Sequence, residues 1–226
     1  MKRRSARTTA GKRRATNRMV IVVAPPGGGK TTASAMIRKR HGRTTEQVTW
    51  DYSDMSTQEL ADIMGRQKLT FEMGDGGFAE LGVFGDTGPR KAVEGTDLYT
   101  CVRRTRLKAV VREFYHRHPG GLVWFEGLTL LNRPFLETVR GVARVTMVRI
   151  NTPLGVCEAR WRKRNQAMLE DKDYPTFTKI PAKTAEWWTK WDAKLKGIAE
   201  EFAHETIECP TPEEAADRVV PLLSPP

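Results

Sequence analysis

The sequence predicts an α/β fold with a parallel five-stranded sheet covered by helices on both faces. Three observations indicate this fold class. Short apolar segments alternate along the chain with longer segments that carry helix start and stop signals. The apolar segments lack a strict alternation of polar and apolar residues, which is typical of strands buried on both faces of a parallel sheet. The length of 226 residues suits a single domain of this kind.

The predicted strands are rich in β-branched and aromatic residues, and the first, MVIVVA, contains no polar residue. They cover residues 19–24, 48–51, 122–127, 143–150 and 206–209. Between the second and the third strand, residues 69–86 alternate in polarity and are interrupted by the Gly74-Asp75-Gly76-Gly77 run. This pattern predicts either a hairpin or an irregular substrate loop.

The predicted helices are bounded by capping or terminating residues. They cover residues 30–41, 97–118, 134–141, 153–166, 184–204 and 212 onwards, and a further helix extends to about residue 66 with Ser53 or Ser56 as its possible cap. Gly42 ends the first of them, and Pro119 follows the helix 97–118. Thr152 and Thr211 are each followed by proline, which is the pattern of an N-cap before the first helical residue.

The first eighteen residues differ in composition from the rest of the chain. They contain eight lysines and arginines, no acidic residue and no apolar face, which predicts a disordered basic arm over residues 1–18 and a domain over residues 19–226. The arm carries most of the net charge of +11, since the remaining chain has 30 basic and 27 acidic residues. A segment of this kind favours a polyanionic partner.

The composition argues against a membrane protein and against a disulfide-rich protein. No apolar segment approaches the roughly 20 residues that span a bilayer. The three cysteines, Cys101, Cys157 and Cys209, are widely spaced and form no CxxC pair. The sequence therefore predicts a protein of the reducing cytoplasm without a membrane partner, and it carries no signal for the oligomeric state.

A glycine-rich segment directly follows the first strand. Residues 24–32 are APPGGGKTT and match the pattern of a phosphate-binding loop, with Ala24 in place of the usual first glycine. In such a loop, backbone N–H groups and a helix N-terminus surround phosphate oxygens, and larger side chains would obstruct their approach. The residues predicted to bind the nucleotide are Pro26, Gly27, Gly28, Gly29, Lys30, Thr31 and Thr32.

Two of these residues have more specific predicted roles. Lys30 is expected to contact the β- and γ-phosphates, and Thr31 is expected to ligate Mg²⁺ through its hydroxyl. Thr32 has the alternative role of a helix cap. The loop therefore predicts ATP and Mg²⁺ as cofactors.

Acidic residues end two further predicted strands. Glu126, in the strand 122–127, is expected to assist Mg²⁺ directly or through water, because a carboxylate at the end of a buried strand is otherwise costly. Asp51 closes the strand 48–51, which is expected to lie beside the first strand. Asp51 is therefore predicted to accept or orient the proton of an attacking hydroxyl. Asp54 is an equally placed alternative, and a turn or capping role is the other interpretation of Asp51.

Four basic residues, Arg160, Arg162, Lys163 and Arg164, follow the strand 143–150 and the start of its helix. This is the position of a lid in P-loop kinases, which predicts a lid over about residues 158–183. Arg160 and Arg164 are four positions apart and share a helix face. They are expected to stabilise charge on the transferred phosphoryl group. A solvated basic helix face is the alternative interpretation.

The order of these motifs resembles the phage polynucleotide-kinase-like group of P-loop kinases. The sequences ELGVFGDTG at 80–88, EGTD at 94–97 and FEG at 125–127 resemble a narrower group, the phage kinases that phosphorylate 5-hydroxymethyluracil in DNA during base hypermodification. The resemblance covers about residues 19–210. It implies a P-loop kinase fold, DNA as partner, the 5-hydroxymethyl group as acceptor and the host-cell cytoplasm as location. It also implies that Asp97 helps to place the acceptor, with a helix N-cap as the alternative.

Three other functions remain open at this point. The chain could be a 5′-hydroxyl polynucleotide kinase, a kinase for free nucleosides or nucleotides, or a non-enzymatic nucleotide-gated DNA-binding module. The chain lacks an Asp-Asp-x-Arg run after the second strand and an appended phosphatase domain. Both differences disfavour repair of 5′ ends.

Two groups of residues keep a structural and a functional interpretation. The spacing of Trp187, Trp188 and Trp191 favours core packing over base stacking. The basic residues between Arg103 and Arg112 fit either a solvated helix face or a groove for a phosphate backbone.

Overall fold

The computed structural model describes residues 16–41, 45–50, 69–74, 77–81, 104–128, 131–170 and 179–224. Within these ranges the strands are Arg18–Val23 (β1), Thr45–Trp50 (β2), Leu69–Gly74 (β3), Phe78–Leu81 (β4), Leu122–Glu126 (β5), Arg144–Ile150 (β6) and Glu205–Cys209 (β7). The helices are Lys30–His41 (α1), Arg104–Arg117 (α2), Arg133–Val142 (α3), Leu154–Glu170 (α4), Ala185–Phe202 (α5) and Pro212–Leu223 (α6). None of the helices that the structure describes is both long enough and apolar enough to span a bilayer.

The strands form one sheet in the order β2-β3-β4-β5-β1-β6-β7. Five strands are parallel to one another, namely β4, β5, β1, β6 and β7. The strand β3 is antiparallel to both β2 and β4. The predicted α/β class with five parallel strands is therefore confirmed. The alternating segment at 69–86 contains a hairpin, in which Met73 of β3 pairs with Ala79 of β4.

The identity of one parallel strand differs from the prediction. The strand at 48–51 was expected beside β1, but β2 lies at the edge of the sheet, and the neighbours of β1 are β5 and β6. The reason is the hairpin, because β4 emerges from it parallel to β5 and pairs Ala79 with Val123. Along this side of the sheet, β3, β4 and β5 separate β2 from β1.

Helices cover both faces of the sheet. Alternate residues of β1 enter two different cores, which explains why the strand shows no polar side. On one face α1 and α6 pack around Val22, Ile37 and Val219. On the other face α2, α3 and α5 pack around the buried side chains of Ile21, Phe114, Leu136 and Leu195. A third cluster, with Cys157, Trp161 and Trp188 at its centre, joins α4 to α5.

The chain enters the sheet at the amino end of β1. The Asn17 amide donates to the Val142 carbonyl oxygen at 2.8 Å and accepts from the Gly120 N–H at 2.8 Å. The Arg18 guanidinium donates to the Ser224 carbonyl oxygen at 3.2 Å. These bonds tie residues 17 and 18, which the predicted arm included, to the domain. Residues 1–15 of the predicted arm lie outside the described residues.

Candidate active site

Residues 24–29 connect β1 to α1 at the carboxyl edge of the parallel strands, which is where ligands bind in open α/β sheets. The Gly28 N–H donates to the Pro25 carbonyl oxygen at 2.8 Å, and the Ala33 N–H donates to the Gly29 carbonyl oxygen at 2.9 Å. Gly27 and Gly29 have φ values of +82° and +90°. This left-handed region is readily accessible only to glycine, so the backbone of the loop itself requires two of its three glycines.

Neighbouring elements also press closely on the loop. A Cβ atom added to Gly27 would lie 2.1 Å from the Cys157 carbonyl oxygen, and one added to Gly29 would lie 2.6 Å from Cγ of Pro212. The sequence explained the glycines by the approach of phosphate. The structure adds a second reason, because α4 and α6 leave no room for larger side chains.

Two residues hold the loop from outside, and neither was assigned this role from the sequence. The Thr152 hydroxyl, just after β6, donates to the Gly28 carbonyl oxygen at 2.9 Å. The Trp188 indole N–H, on α5, donates to the Pro26 carbonyl oxygen at 3.1 Å. Thr152 was expected to cap the next helix; Thr211 does act as such a cap and accepts from the Glu214 N–H at 3.1 Å. The signal for Thr152 was a hydroxyl residue two positions after the end of a strand, whereas nothing local marks Trp188.

The predicted phosphate and metal residues lie at the start of α1. Lys30 is 8% exposed, and its ammonium donates to the Ala24 carbonyl oxygen at 3.4 Å. The Thr31 hydroxyl lies 3.4 Å from a carboxylate oxygen of Glu126, which ends β5 and is 3% exposed. Hydroxyl and carboxylate oxygens are the donors that Mg²⁺ prefers. The pair therefore fits a metal held by one or two protein oxygens together with phosphate oxygens.

A cavity of about 260 Å³ opens beside the loop. It is lined by Gly27, Gly29, Lys30, Thr31, Thr32, Arg160, Arg164, Pro212 and Glu213. The structure thus brings the two arginines predicted for charge stabilisation together with the phosphate loop. Arg162 does not line this cavity, since its guanidinium donates to Glu158 at 2.9 Å and to the Lys183 carbonyl oxygen at 3.1 Å.

The predicted lid at 158–183 is partly described. Residues 158–170 belong to α4, and residues 179–184 lead into α5, whereas residues 171–178 lie outside the described part. Cys157 lies at the base of this region. Burial raises the pKa of its thiol, although Arg160 and Lys30 oppose the shift. The thiol therefore stays protonated near neutral pH, and Cys157 packs as an apolar residue.

The three candidate acceptor carboxylates, Asp51, Asp54 and Asp97, lie outside the described residues. The strand before Asp51 runs parallel to β4, so its carboxyl end points to the edge of the sheet that carries the phosphate loop. However, this strand, β2, is the outermost strand of the sheet and does not lie beside β1 as expected.

No protein-family model matches this chain, and neither does any curated protein. Among solved structures, the chain is similar to the shikimate kinase from Acinetobacter baumannii in complex with shikimate. The identity is 21%, the TM-score is 0.41, and the match covers 92% of this chain and 94% of that one. It is also similar to the shikimate kinase from Bacteroides thetaiotaomicron, with 14% identity, a TM-score of 0.38 and coverage of 91% and 98%. At these values the similarity assigns no substrate to this chain.

Proposed function

We propose that the protein is an ATP- and Mg²⁺-dependent kinase that transfers the γ-phosphoryl group to a hydroxyl. The observation that carries this proposal is the content of one cavity. A backbone loop preorganised for phosphate, a buried lysine and two arginines from a different helix all line it. This arrangement suits phosphoryl transfer, in which the protein mainly positions the reactants and stabilises negative charge.

Each group then has a distinct role. The N–H groups of residues 27–31 and the N-terminus of α1 bind the phosphates, and Lys30 neutralises charge on the β- and γ-phosphates. Thr31 and Glu126 would hold Mg²⁺, which when bound neutralises charge on the phosphate oxygens. Arg160 and Arg164 face the loop from α4 and stabilise the charge on the transferred group.

We further propose that the acceptor is a hydroxyl on DNA, most specifically the 5-hydroxymethyl group of 5-hydroxymethyluracil. The support is the resemblance carried by residues 80–88, 94–97 and 125–127, together with exposed cations on α4. In this reaction the hydroxymethyl oxygen forms a bond to the γ-phosphorus, the bond from that phosphorus to the β–γ bridging oxygen breaks, and ADP leaves. The hydroxyl proton goes to a carboxylate, for which Asp51, Asp54 and Asp97 are the candidates.

An acceptor panel tests this proposal. The full chain and its Lys30→Ala variant are incubated with Mg²⁺, γ-labelled ATP and one acceptor at a time. The acceptors are thymidine, thymidine monophosphate, a 5′-hydroxyl oligonucleotide, and closed circular DNA with or without 5-hydroxymethyluracil. We expect Lys30-dependent label on the modified circular DNA. We expect none on the unmodified circle, because it has neither a hydroxymethyl group nor a 5′ end.

The other results would each exclude the proposed acceptor. Label on monomers alone would indicate a nucleoside or nucleotide kinase. Label on unmodified 5′ ends alone would indicate a polynucleotide kinase. No Lys30-dependent transfer to any acceptor would contradict the kinase itself and leave a nucleotide-binding module.

Removal of either cavity arginine should slow the reaction. We expect Arg160→Ala and Arg164→Ala each to lower kcat about 10- to 100-fold, the effect of losing about 1.5–3 kcal/mol from one hydrogen bond to a charged group. Arg162→Ala is the matched control, since Arg162 lies on the same helix and is paired with Glu158. Steady-state kinetics with saturating ATP measure the effect. An equal loss in all three variants would mean that the helix acts only through its general positive charge.

A further inference from the structure

Two tryptophan side chains flanked by two lysine side chains form a row along the first part of α5 and the turn before it. We call Lys183, Trp187, Trp191 and Lys194 the α5 strip. Their spacing of four, four and three positions places them on one side of the helix and of the turn that precedes it. The Lys183 ammonium lies 4.9 Å from the centre of the Trp187 ring, and the Lys194 ammonium lies 4.6 Å from the centre of the Trp191 ring. In the strip, each tryptophan ring therefore lies next to a positive charge.

Both rings of the strip are partly exposed, unlike the buried rings of Trp161 and Trp188. The Trp187 and Trp191 rings lie 6.2 Å apart at an angle of 76°. Core packing accounts for the two buried rings. It was also favoured by the spacing of Trp187, Trp188 and Trp191, but of these three only Trp188 is buried. Trp187 also packs against the cluster that contains the two buried rings, but core packing does not account for the lysine ammonium groups that lie over the Trp187 and Trp191 rings.

The lysines of this helix fall into two classes. Lys190 is paired with Glu186 at 2.7 Å, and Lys196 is paired with Asp192 at 3.3 Å. Within the part of the chain that the structure describes, the Lys183 and Lys194 ammonium groups have no acidic partner and lie over the Trp187 and Trp191 rings. Their charges are thus available to an anion from outside, whereas the charges of Lys190 and Lys196 are largely compensated.

The strip lies next to the candidate active site. The rings of Trp187 and Trp188 are 4.9 Å apart, and Trp188 donates to the carbonyl oxygen of Pro26 in the phosphate loop. The Arg162 guanidinium of α4 donates to the Lys183 carbonyl oxygen. One ring therefore separates the strip from the loop, and the helix that carries the cavity arginines contacts its first residue.

We propose that the α5 strip binds an unpaired stretch of the substrate strand next to the acceptor base, with a base stacked on Trp191 and phosphates at Lys183 and Lys194. This inference rests on DNA as the acceptor in the proposed function. Proteins that bind single strands combine cations that follow the backbone with aromatic rings on which bases stack. A continuous duplex keeps its bases stacked on one another, and an acidic peptide would use the lysines but not the rings.

Strand binding by two matched double variants of the full chain tests this proposal. Lys183→Ala with Lys194→Ala removes the strip charges, and Lys190→Ala with Lys196→Ala removes the same charge from the paired lysines of the same helix. Fluorescence anisotropy with a labelled single-stranded thymidine oligonucleotide, in the absence of ATP, gives the affinity between about 50 and 200 mM salt. Thermal unfolding followed by circular dichroism checks that each variant is folded.

We expect the strip variant to lose about tenfold in affinity and the matched variant to change little. We also expect the slope of log K against log salt to become shallower by about 1.4 in the strip variant, because each phosphate contact on a single strand contributes about 0.7. Equal losses in the two folded variants would overturn the proposal, since general charge would then explain the binding.

Trp191 tests the stacking component. Trp191→Ala should weaken single-strand binding about tenfold, within the range for one stacked base, while Trp191→Phe should retain most of the affinity. Equal affinity of Trp191→Ala and the unaltered protein would overturn the stacking. Competition by polyglutamate as strong as by an oligonucleotide of equal charge would assign the strip to an acidic protein segment instead.

The failure of this inference can be distinguished from the failure of the proposed function. The Lys30→Ala protein should bind the oligonucleotide normally and transfer phosphate on the order of 10²–10³-fold more slowly. Strip-dependent binding without transfer to modified DNA would support the strip and contradict the kinase proposal. Transfer to modified DNA with a KM for DNA that is the same in the strip variant and the matched variant would support the kinase and contradict the strip.

Discussion

Replacement of Lys30 by alanine should lower kcat for phosphoryl transfer by on the order of 10²–10³-fold, as expected for the loss of one charge-stabilising donor from a preorganised site. The Lys30 side chain is 8% exposed, and its ammonium already lies at the loop, 3.4 Å from the Ala24 carbonyl oxygen. No other lysine lines the described cavity. Single-turnover kinetics with γ-labelled ATP measure the effect separately from product release.

Lysine at position 30 should also be specifically required. A guanidinium is planar with its charge delocalised, whereas the ammonium is a compact point charge, so Lys30→Arg should not restore the rate. Lys39→Ala is the matched control, because Lys39 lies on the same helix and is exposed. Full activity of Lys30→Ala, or a comparable loss in Lys39→Ala, would contradict the assigned role.

Replacement of Gly27 by alanine should damage both the site and the fold. Gly27 has a φ of +82°, and an added Cβ would lie 2.1 Å from the Cys157 carbonyl oxygen. The left-handed conformation alone costs alanine about 1–2 kcal/mol, and the contact with α4 adds to this. We expect the free energy of unfolding to fall by at least that amount in urea titrations. We also expect kcat/KM to fall roughly 10²-fold, the scale of a 1 Å misplacement.

A second glycine provides a control of opposite sign. Gly197 lies within α5, and an added Cβ would meet no atom within 4 Å. Gly197→Ala should therefore raise the free energy of unfolding by about 0.5–1 kcal/mol, because alanine is the better helix former. Activity should not change. Loss of stability in both variants would show that the cost at Gly27 does not come from its φ angle and its contact with Cys157.

The local parts of the site could be predicted from the sequence. Lys30 and Thr31 follow the glycine run at fixed spacing, because the loop and the first turn of α1 form a single local structure. Arg160 and Arg164 reach the same cavity because they are one helical turn apart on α4. Such features depend on residues that are close together in the chain.

The long-range parts could not be predicted. Trp188 reaches the Pro26 carbonyl oxygen across 162 positions, and Thr152 reaches Gly28 across 124. The order of the strands was also missed in part, because only the long-range pairing of β4 with β5 decides that β4 and not β2 joins the parallel strands. These contacts depend on tertiary packing, which a local pattern does not encode.

The position of β1 sets a length scale for the proposed DNA substrate. The strand runs from Arg18 at the amino end of the parallel strands to Val23 at their carboxyl end, a distance of about 17–20 Å for six residues. The basic N-terminal segment therefore joins the domain at the amino end of the parallel strands, and the phosphate loop lies at their carboxyl end. Along a duplex this distance corresponds to about six base pairs at 3.4 Å each. Under the proposed function, an oligonucleotide that reaches from the phosphate loop to the point where that segment begins must therefore have at least this length.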